Sequence, residues 1–356
     1  MHSRLNLMPS LREDIRCPKS SLPPAAAEKP LFFTAKAKCS KISRLSLFPL
    51  RVLCAFAVHS CPVLHPKPER LPLVKSTALC YSDGVEEGAM TRMGQVVLKP
   101  GREKPVLRRH PWVFSGAVAR IEGPAQDGDL VRVADSRGRD LATGYLNRRS
   151  QIVVRLLTWE AGERVDAAFW SRRLQRAIAG RQRLADDPAT DAYRLVHAEA
   201  DGLPGLIVDR YGNWLVVQCL TLGMARRRAE IVPLLADLLQ PRGVYGRDDA
   251  EVRRKEGLPL EKGLLWGEEP PERVEVREQG CRFLVDIRRG HKTGFYLDQR
   301  ENRRRVAAYC AGAEVLNAFA YTGGFGVYAG RAGARSVVNV DTSAGALALA
   351  AENVAL

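Results

Sequence analysis

Apolar and polar positions divide the chain into four stretches with different patterns. In residues 1–92, apolar residues do not recur regularly every two residues, as in a strand, or every 3.6 residues, as in a helix. Prolines interrupt this stretch throughout. Short valine-rich runs separated by Gly and Asp follow in residues 93–160, which predicts a small, mostly β barrel. Residues 161–286 mix helical and strand patterns, and residues 287–356 read as strand, glycine turn, helix and strand. The patterns therefore predict a multi-domain chain: a β barrel, an α+β unit and the start of an α/β sheet.

The first stretch, residues 1–92, is predicted to be a disordered or spurious N-terminal extension. A basic transit-like leader and a disordered tail are two interpretations of it. The third, an upstream extension from a start codon assigned too early, is favoured because Met90 and Met93 lie just before ordered-looking sequence. The apolar run at residues 52–58 is too short to span a bilayer, so no membrane is expected.

The eight cysteines of the chain lack the close pairing that a zinc site needs. Five lie before residue 93 and the others are scattered among apolar neighbours, as free thiols in a reducing cytoplasm usually are. A cytoplasmic location without a structural metal is therefore expected. The scattered three are Cys219, Cys281 and Cys310.

The barrel stretch, residues 93–160, combines predicted strands with exposed cations. Strands are expected at residues 95–98, 116–121, 130–135, 141–147 and 151–158. The net charge of +15 and the pI near 9.7 favour a polyanionic partner, nucleic acid before membrane. Cations on the connecting segments would then contact RNA phosphates, or they merely keep a small domain in solution. The RNA-binding candidates are Arg102, Lys104, Arg108 and Arg109, with Arg148 and Arg149 adding to the charge.

The central stretch, residues 161–286, is predicted to be a compact α+β unit. A helix over residues 166–184 would turn five arginines outward, toward RNA or solvent: Arg172, Arg173, Arg176, Arg181 and Arg183. Strands at 203–210 and 214–218, a helix at 226–239, a strand at 243–247 and a strand pair at 273–278 and 281–286 follow. The charged segment at residues 246–257, with a loop at 253–257, is interpreted as a salt-bridge cluster at a domain interface.

The last stretch carries the pattern of a nucleotide-cofactor site. A buried parallel strand at residues 314–319 leads into a glycine turn at 320–326, a helix from Val327 and a second strand at 336–340. Asp341 follows that strand, 18 residues beyond Gly323, where an acidic side chain can accept both ribose hydroxyls. The turn departs from Gly-x-Gly-x-x-Gly, which counts against NAD and favours S-adenosylmethionine. The alternative is a purely structural turn with a capping aspartate, and Ser343 is expected to cap a helix at 344–356.

Two motifs, at residues 294–303 (GFYLDQRENR) and 317–325 (NAFAYTGGF), closely resemble a bacterial family of class I, S-adenosylmethionine-dependent ribosomal RNA methyltransferases. The best-known members make 5-methylcytosine in large-subunit RNA. Residues 101–158 resemble a PUA domain, an RNA-binding module, and the order of parts matches that family. The resemblance therefore implies a PUA-like barrel, a central α+β domain and a Rossmann-like methyltransferase domain, with ribosomal RNA as partner.

The resemblance also implies roles for individual residues. It implies that Asp341 holds the ribose and that Phe295 stacks on a base or wedges two domains together. Arg303, Arg304 and Arg305 are interpreted as a solvated helix face. The residues expected around the cofactor are Asn317, Phe319, Tyr321, Thr322 and Gly323, with Gln299 and Arg300 packed beside them. Those expected beside the pocket and towards the RNA are Lys292, Thr293, Phe295 and Asp298.

The sequence stops two strands into the predicted sheet, so we expect a C-terminally truncated fragment that does not methylate by itself. The thiolate that adds to cytosine C6 in this family is expected beyond the last residue, which leaves no catalytic residue in the chain. Cys310 precedes the first strand and does not fit that role. A non-catalytic RNA-binding protein and an NAD-dependent oxidoreductase are the alternatives. The target nucleotide, the RNA species and the oligomeric state are left open.

Overall fold

The structure, a computed structural model, describes the backbone of residues 51–53 and all of residues 93–356. The extension predicted over residues 1–92 lies outside the described residues, apart from strand β1 (Arg51–Leu53). The backbone of β1 pairs in parallel with residues 315–317. Among the described residues, no helix is long and apolar enough to cross a membrane.

The first described domain is a six-stranded sheet that curls toward a barrel. Its strands are β2 (Gly94–Leu98), β3 (Trp112–Phe114), β4 (Val118–Glu122), β5 (Leu130–Ala134), β6 (Asp140–Leu146) and β7 (Ile152–Thr158). They lie in the order β3-β7-β6-β5-β2-β4, and the two edge strands are joined directly by a short turn, Ser115–Ala117. That turn brings the two edges of the sheet together. Between β2 and β3 the chain forms the short helix α1 (Lys104–Leu107).

The central domain is a five-stranded sheet in the order β12-β11-β10-β9-β8. Its strands are β8 (Ala192–His197), β9 (Leu206–Tyr211), β10 (Trp214–Cys219), β11 (Gly243–Asp248) and β12 (Glu261–Gly267). The crossover between parallel β10 and β11 contains α4 (Leu222–Arg226) and α5 (Arg228–Leu239). The remaining helices are α2 (Ala167–Ala179), α3 (Gln182–Ala185) and α6 (Val252–Lys255). Two helices, α2 and α3, therefore replace the single helix predicted over residues 166–184. The loop predicted at residues 253–257 overlaps helix α6. Strands β8 and β12 were not predicted.

Alternate side chains of β10 enter different cores, because successive residues of a strand point to opposite faces. Leu215 and Val217 pack with the inner face of α2 and with α5. Trp214 and Val216 pack on the other face, against the hairpin of β13 (Val274–Glu278) and β14 (Cys281–Val285). Helices therefore cover one face of the central sheet, and the elements leading into the last domain cover the other.

The last described domain has the predicted α/β order. It contains α7 (Arg300–Ala307), β15 (Glu314–Ala318), α8 (Gly324–Arg331), β16 (Ser336–Val340) and α9 (Ala344–Ala355). Strands β15 and β16 are parallel and in register, with Val315 beside Val337. Ser343 caps α9, as predicted, since its hydroxyl accepts the Ala346 N–H at 3.2 Å. The predicted multi-domain architecture is confirmed.

Three arginines expected to face outward, toward RNA or solvent, are partly or fully buried instead. Arg181 donates twice to the Asp201 carboxylate, at 2.6 and 2.8 Å. Arg173 is half-buried over the Phe169 ring and donates to a carbonyl. Arg303 is buried and donates twice to Glu278, at 2.8 and 2.9 Å. A long aliphatic stem allows this burial, and the acceptors come from other segments of the chain, which a helical pattern does not reveal.

The predicted salt-bridge cluster is confirmed at the joint between barrel and central domain. Glu256 accepts from Arg155 at 2.9 Å and from the Asn147 amide at 2.8 Å, and all three side chains are buried. Buried Arg253 pairs with Asp248 at 3.3 Å. The contacts of Glu256 with Arg155 and Asn147 fix how the barrel sits on the central sheet, and the Arg253–Asp248 pair stabilises the central domain beside them.

Candidate functional site

The loop between β15 and α8 is held in an unusual backbone conformation. Phe319 has φ of 59° and Tyr321 of 51°, the left-handed region that side chains other than glycine seldom adopt. Gly323, at φ 77°, continues the turn into α8. Each such non-glycine residue costs about 1–3 kcal/mol and persists only where surrounding contacts enforce it, a situation common at ligand sites. The predicted glycine turn is therefore a strained loop at the carboxyl end of a parallel strand.

Asp341, at the carboxyl end of β16, is one of the contacts that enforce this loop. Its carboxylate accepts the Tyr321 N–H at 2.8 Å and the Ser343 N–H at 2.9 Å. The capping role that the sequence left as an alternative is thus present. Each carboxylate oxygen accepts more than one hydrogen bond, so the Asp341 side chain keeps capacity for ligand hydroxyls.

Tyr321 joins the loop to the segment before α7. Its hydroxyl donates to the Gly294 carbonyl at 2.9 Å and accepts the His291 N–H at 2.8 Å. Its ring stacks on the His291 ring at 4.7 Å, with Tyr296 edge-on at 5.4 Å. Burial raises the pKa of Tyr321 to about 12, so the hydroxyl stays a donor at neutral pH. A Cβ at Gly290 would lie 2.8 Å from this hydroxyl, which explains the glycine there.

Among the described residues, the loop has one aromatic side chain mostly in solvent and one buried hydroxyl without a hydrogen-bond partner. Phe319 is 81% exposed although it is aromatic and lies in a strained conformation. The Thr322 hydroxyl is buried and has no hydrogen-bond partner among the described residues. Beside them, buried Asn317 donates its amide to Asn339 at 2.8 Å. An exposed ring next to an unpartnered hydroxyl is what a bound ligand would cover and satisfy.

The other predicted site residues lie on the segment that Tyr321 contacts. Lys292 pairs with Asp298 at 2.9 Å and lies 4.5 Å over the Tyr296 ring. Gln299 donates to Asp298 at 3.2 Å, and Arg300 has one buried nitrogen without a partner among the described residues. The structure therefore brings Tyr321 and Asp341 together and places Lys292 near them through the Tyr296 ring, while Gln299 and Arg300 lie on the adjoining segment.

Phe295 does not lie on a surface open to RNA, so its predicted role in base stacking is corrected. It is 3% exposed, its ring lies 5.1 Å from Phe283, and the Arg303 guanidinium stacks on it at 4.5 Å. It belongs to the core between the central sheet and the hairpin. Phe295 instead packs between two domains, which is the other role considered for it.

A buried polar network behind the site was missed by the sequence analysis. The Asp209 carboxylate, fully buried on β9, accepts twice from Arg194, at 2.8 and 2.9 Å, and from the Thr293 hydroxyl at 2.6 Å. The Thr293 hydroxyl donates its one proton to Asp209, so it can only accept from Tyr211. The buried Tyr211 hydroxyl therefore donates to Thr293 at 2.9 Å. Tyr211 also accepts the Phe295 N–H at 3.1 Å. The signal in the sequence was a carboxylate in the apolar strand Leu-Ile-Val-Asp.

The four cations predicted to contact RNA occupy a separate surface on the barrel. All are exposed and lie on or beside α1: Arg102, Lys104, Arg108 and Arg109. Arg109 lies 3.3 Å from Glu160, but both side chains are largely in solvent, so this ion pair is weak.

This combination of domains defines a class of protein. The model of PUA-like domains matches residues 96–159, and that of S-adenosylmethionine-dependent methyltransferases matches residues 260–356. The chain belongs to the proteins that join a PUA-like domain to an S-adenosylmethionine-dependent methyltransferase domain, and the predicted family resemblance is confirmed. Within this class it is homologous to the proteins named ribosomal RNA large subunit methyltransferase I. Those of Shigella dysenteriae and Escherichia coli O157:H7 are each 48% identical over 262 residues, which cover 74% of this chain and 66% of theirs.

Solved structures show the same fold. An S-adenosylmethionine-dependent methyltransferase of Streptococcus mutans is 25% identical with a TM-score of 0.63, over 73% of this chain and 66% of that one. A methyltransferase complexed with SAH is 25% identical with a TM-score of 0.64, over 73% of this chain and 65% of that one. The chain thus spans just under two thirds of the length of the curated relatives it matches.

Proposed function

We propose that this chain binds S-adenosylmethionine at the loop of residues 319–323 and takes part in methylating large-subunit ribosomal RNA. The observation that carries the proposal is the strained loop itself, which projects the exposed Phe319 ring beside the unpartnered Thr322 hydroxyl. The names of the relatives and the SAH complex of the solved neighbour support the choice of cofactor and substrate.

The residues present fit this cofactor. Asp341, with acceptor capacity left after its two backbone contacts, would hold the ribose hydroxyls. Phe319 would pack against an apolar or aromatic part of the ligand, and the Thr322 hydroxyl would gain the partner it lacks. The bound cofactor supplies a methyl group on a sulfonium. The chain's own contribution is a loop fixed in advance by Asp341 and Tyr321, so that little ordering is left for binding.

The finer proposal, from the family resemblance, is that cytosine C5 receives the methyl group. That chemistry needs a thiolate that adds to cytosine C6. The three described cysteines do not provide it, because Cys219, Cys281 and Cys310 are all buried and burial raises the pKa of the Cys219 and Cys281 thiols. Cys310 also precedes β15 and donates its thiol to the Val306 carbonyl. A cysteine outside the described three is therefore part of this proposal.

Isothermal titration of the chain with SAH and, separately, with NAD tests the cofactor assignment without any need for turnover. We expect SAH to bind and NAD not to, and Phe319→Ala to weaken SAH about tenfold through loss of an aromatic contact. Phe114→Ala, which removes a half-exposed ring on the barrel, is the matched control and should leave SAH affinity unchanged. Binding of NAD alone would favour an oxidoreductase. RNA binding without affinity for either cofactor would favour a non-catalytic RNA-binding protein.

The cytoplasmic location expected from the cysteine usage stays a prediction.

A further inference from the structure

We propose that the barrel stacks unpaired RNA bases on an aromatic ladder formed by His110, Trp112 and Phe114. This proposal rests on the proposed function, because it takes RNA as the partner. It adds the form of RNA that is recognised, a single-stranded segment.

The ladder is formed by alternate residues at and just before β3, an edge strand of the barrel sheet. Alternate residues of an extended chain share one face, and the rings are neighbours. The centroid of Trp112 lies 5.7 Å from that of His110 and 6.1 Å from that of Phe114. His110 is exposed and Phe114 is 46% exposed, an unusual state for a phenylalanine in a packed domain.

The ladder is held in place before any ligand arrives. The Trp112 indole N–H donates to Glu199 at 2.8 Å, and the Trp112 backbone N–H donates to the His110 ring at 3.2 Å. The pyrrolidine ring of Pro111 fixes the backbone φ angle between His110 and Trp112. Rings that are already ordered lose little entropy when bases stack on them.

The positive charge of the segment before the ladder indicates which ligand the ladder binds. From Lys99 to Ser115, both included, the sequence has five Lys and Arg residues and a single carboxylate, and Leu107 in the same segment is 62% exposed. The weak pair between Arg109 and Glu160 can open to a phosphate. Cations next to exposed rings are the combination that binds single-stranded nucleic acid, where phosphates supply affinity and bases stack on aromatic faces. An apolar protein surface would not account for the cations.

A chain of contacts runs from the ladder to the network behind the site. Glu199, which accepts the Trp112 indole N–H, is five residues from Arg194, and Arg194 pairs with the Asp209 carboxylate that accepts from Thr293.

Fluorescence anisotropy with labelled RNA tests the ladder on the full chain. The probes are a 12-nucleotide single strand and a duplex of the same length, each at several salt concentrations. Phe114→Ala is the test variant, since Phe114 has no polar contact to lose. Trp266→Ala, which removes a 40% exposed ring on β12, is the matched control. We expect Phe114→Ala to weaken the single strand about tenfold with an unchanged salt slope, and to leave duplex binding and the melting temperature unchanged.

The outcomes separate the ladder from the function on which it rests. If wild type binds the single strand and Phe114→Ala binds it equally well, the ladder is overturned while RNA binding remains. Equal weakening of single strand and duplex also overturns it, because stacking requires unpaired bases. If wild-type protein binds neither RNA, the proposed function itself fails.

Discussion

Replacing Arg303 with methionine tests whether a buried ion pair holds the hairpin β13–β14 to the methyltransferase helices. Arg303 donates twice to Glu278, and the side chains of both residues are almost fully buried. Methionine keeps much of the aliphatic volume but leaves the Glu278 carboxylate with the neutral Tyr328 hydroxyl, at 3.2 Å, as its remaining side-chain donor. Removing one partner of a buried pair costs about 3–5 kcal/mol, since the other charge is left without compensation.

The adjacent residue on α7 supplies a matched control. Arg304 pairs with Glu301 at 3.0 Å, but 62% of the Arg304 side chain and 51% of the Glu301 side chain are exposed. Arg304→Met should therefore cost at most about 1 kcal/mol. Hydrogen exchange of peptides from α7 and α8, measured against urea concentration, reports the free energy of opening of this region.

A second variant distinguishes charge from packing. Arg303→Met combined with Glu278→Leu removes both charges, so we expect it to recover most of the loss caused by Arg303→Met alone. Equal losses for Arg303→Met and Arg304→Met would show that burial of the pair has no energetic consequence. A double variant no more stable than Arg303→Met would assign the loss to packing against Phe295 instead.

Further predictions concern the network behind the site, the joint of the barrel and the thiols. Asp209→Asn should weaken SAH binding several-fold in calorimetry and speed hydrogen exchange around Thr293, and unchanged affinity would show that the network does not position the cofactor segment. Tyr145→Phe should lower the free energy of unfolding by about 1–3 kcal/mol in urea, because the buried hydroxyl contacts two groups at 2.8 Å; a loss below about 0.5 kcal/mol would contradict this. Cys219 and Cys281 should resist iodoacetamide in the native protein at pH 8 and react in urea, as followed by peptide mass spectrometry, since burial holds both pKa values above their usual range.

The parts of the site that sequence reasoning identified depend on local signals. The strand, the glycine turn and Asp341 lie within a short segment, and the regular spacing of a strand–turn–helix–strand unit places them at one edge of the sheet. The cap at Ser343 is local in the same way, because its hydroxyl reaches an N–H three residues on. The strained φ values of Phe319 and Tyr321 were not predictable, since nothing in their residue types favours the left-handed region.

The features that sequence reasoning missed depend on partners far away in the chain. Arg303 looks like a member of a solvated run until Glu278, 25 residues earlier, is placed beside it. Phe295 resembles an aromatic reader of bases until the hairpin covers it. Strand β12 has two glycines among its seven residues and only a weak alternation, so pairing with β11, rather than its own propensity, makes it a strand.

The joint between barrel and central domain determines how the two proposed binding surfaces work together. Arg155 and Glu256 are paired out of water, and the Tyr145 ring packs so closely on Gly223 that any larger residue there would collide with it. Domains that meet through a small, hydrated interface move relative to each other, whereas a buried ion pair at the joint resists a change of angle. The barrel that carries the aromatic ladder is therefore fixed on the central domain. If RNA binds the ladder as proposed, flexibility in the RNA, rather than movement at this joint, would determine which nucleotides reach the cofactor loop.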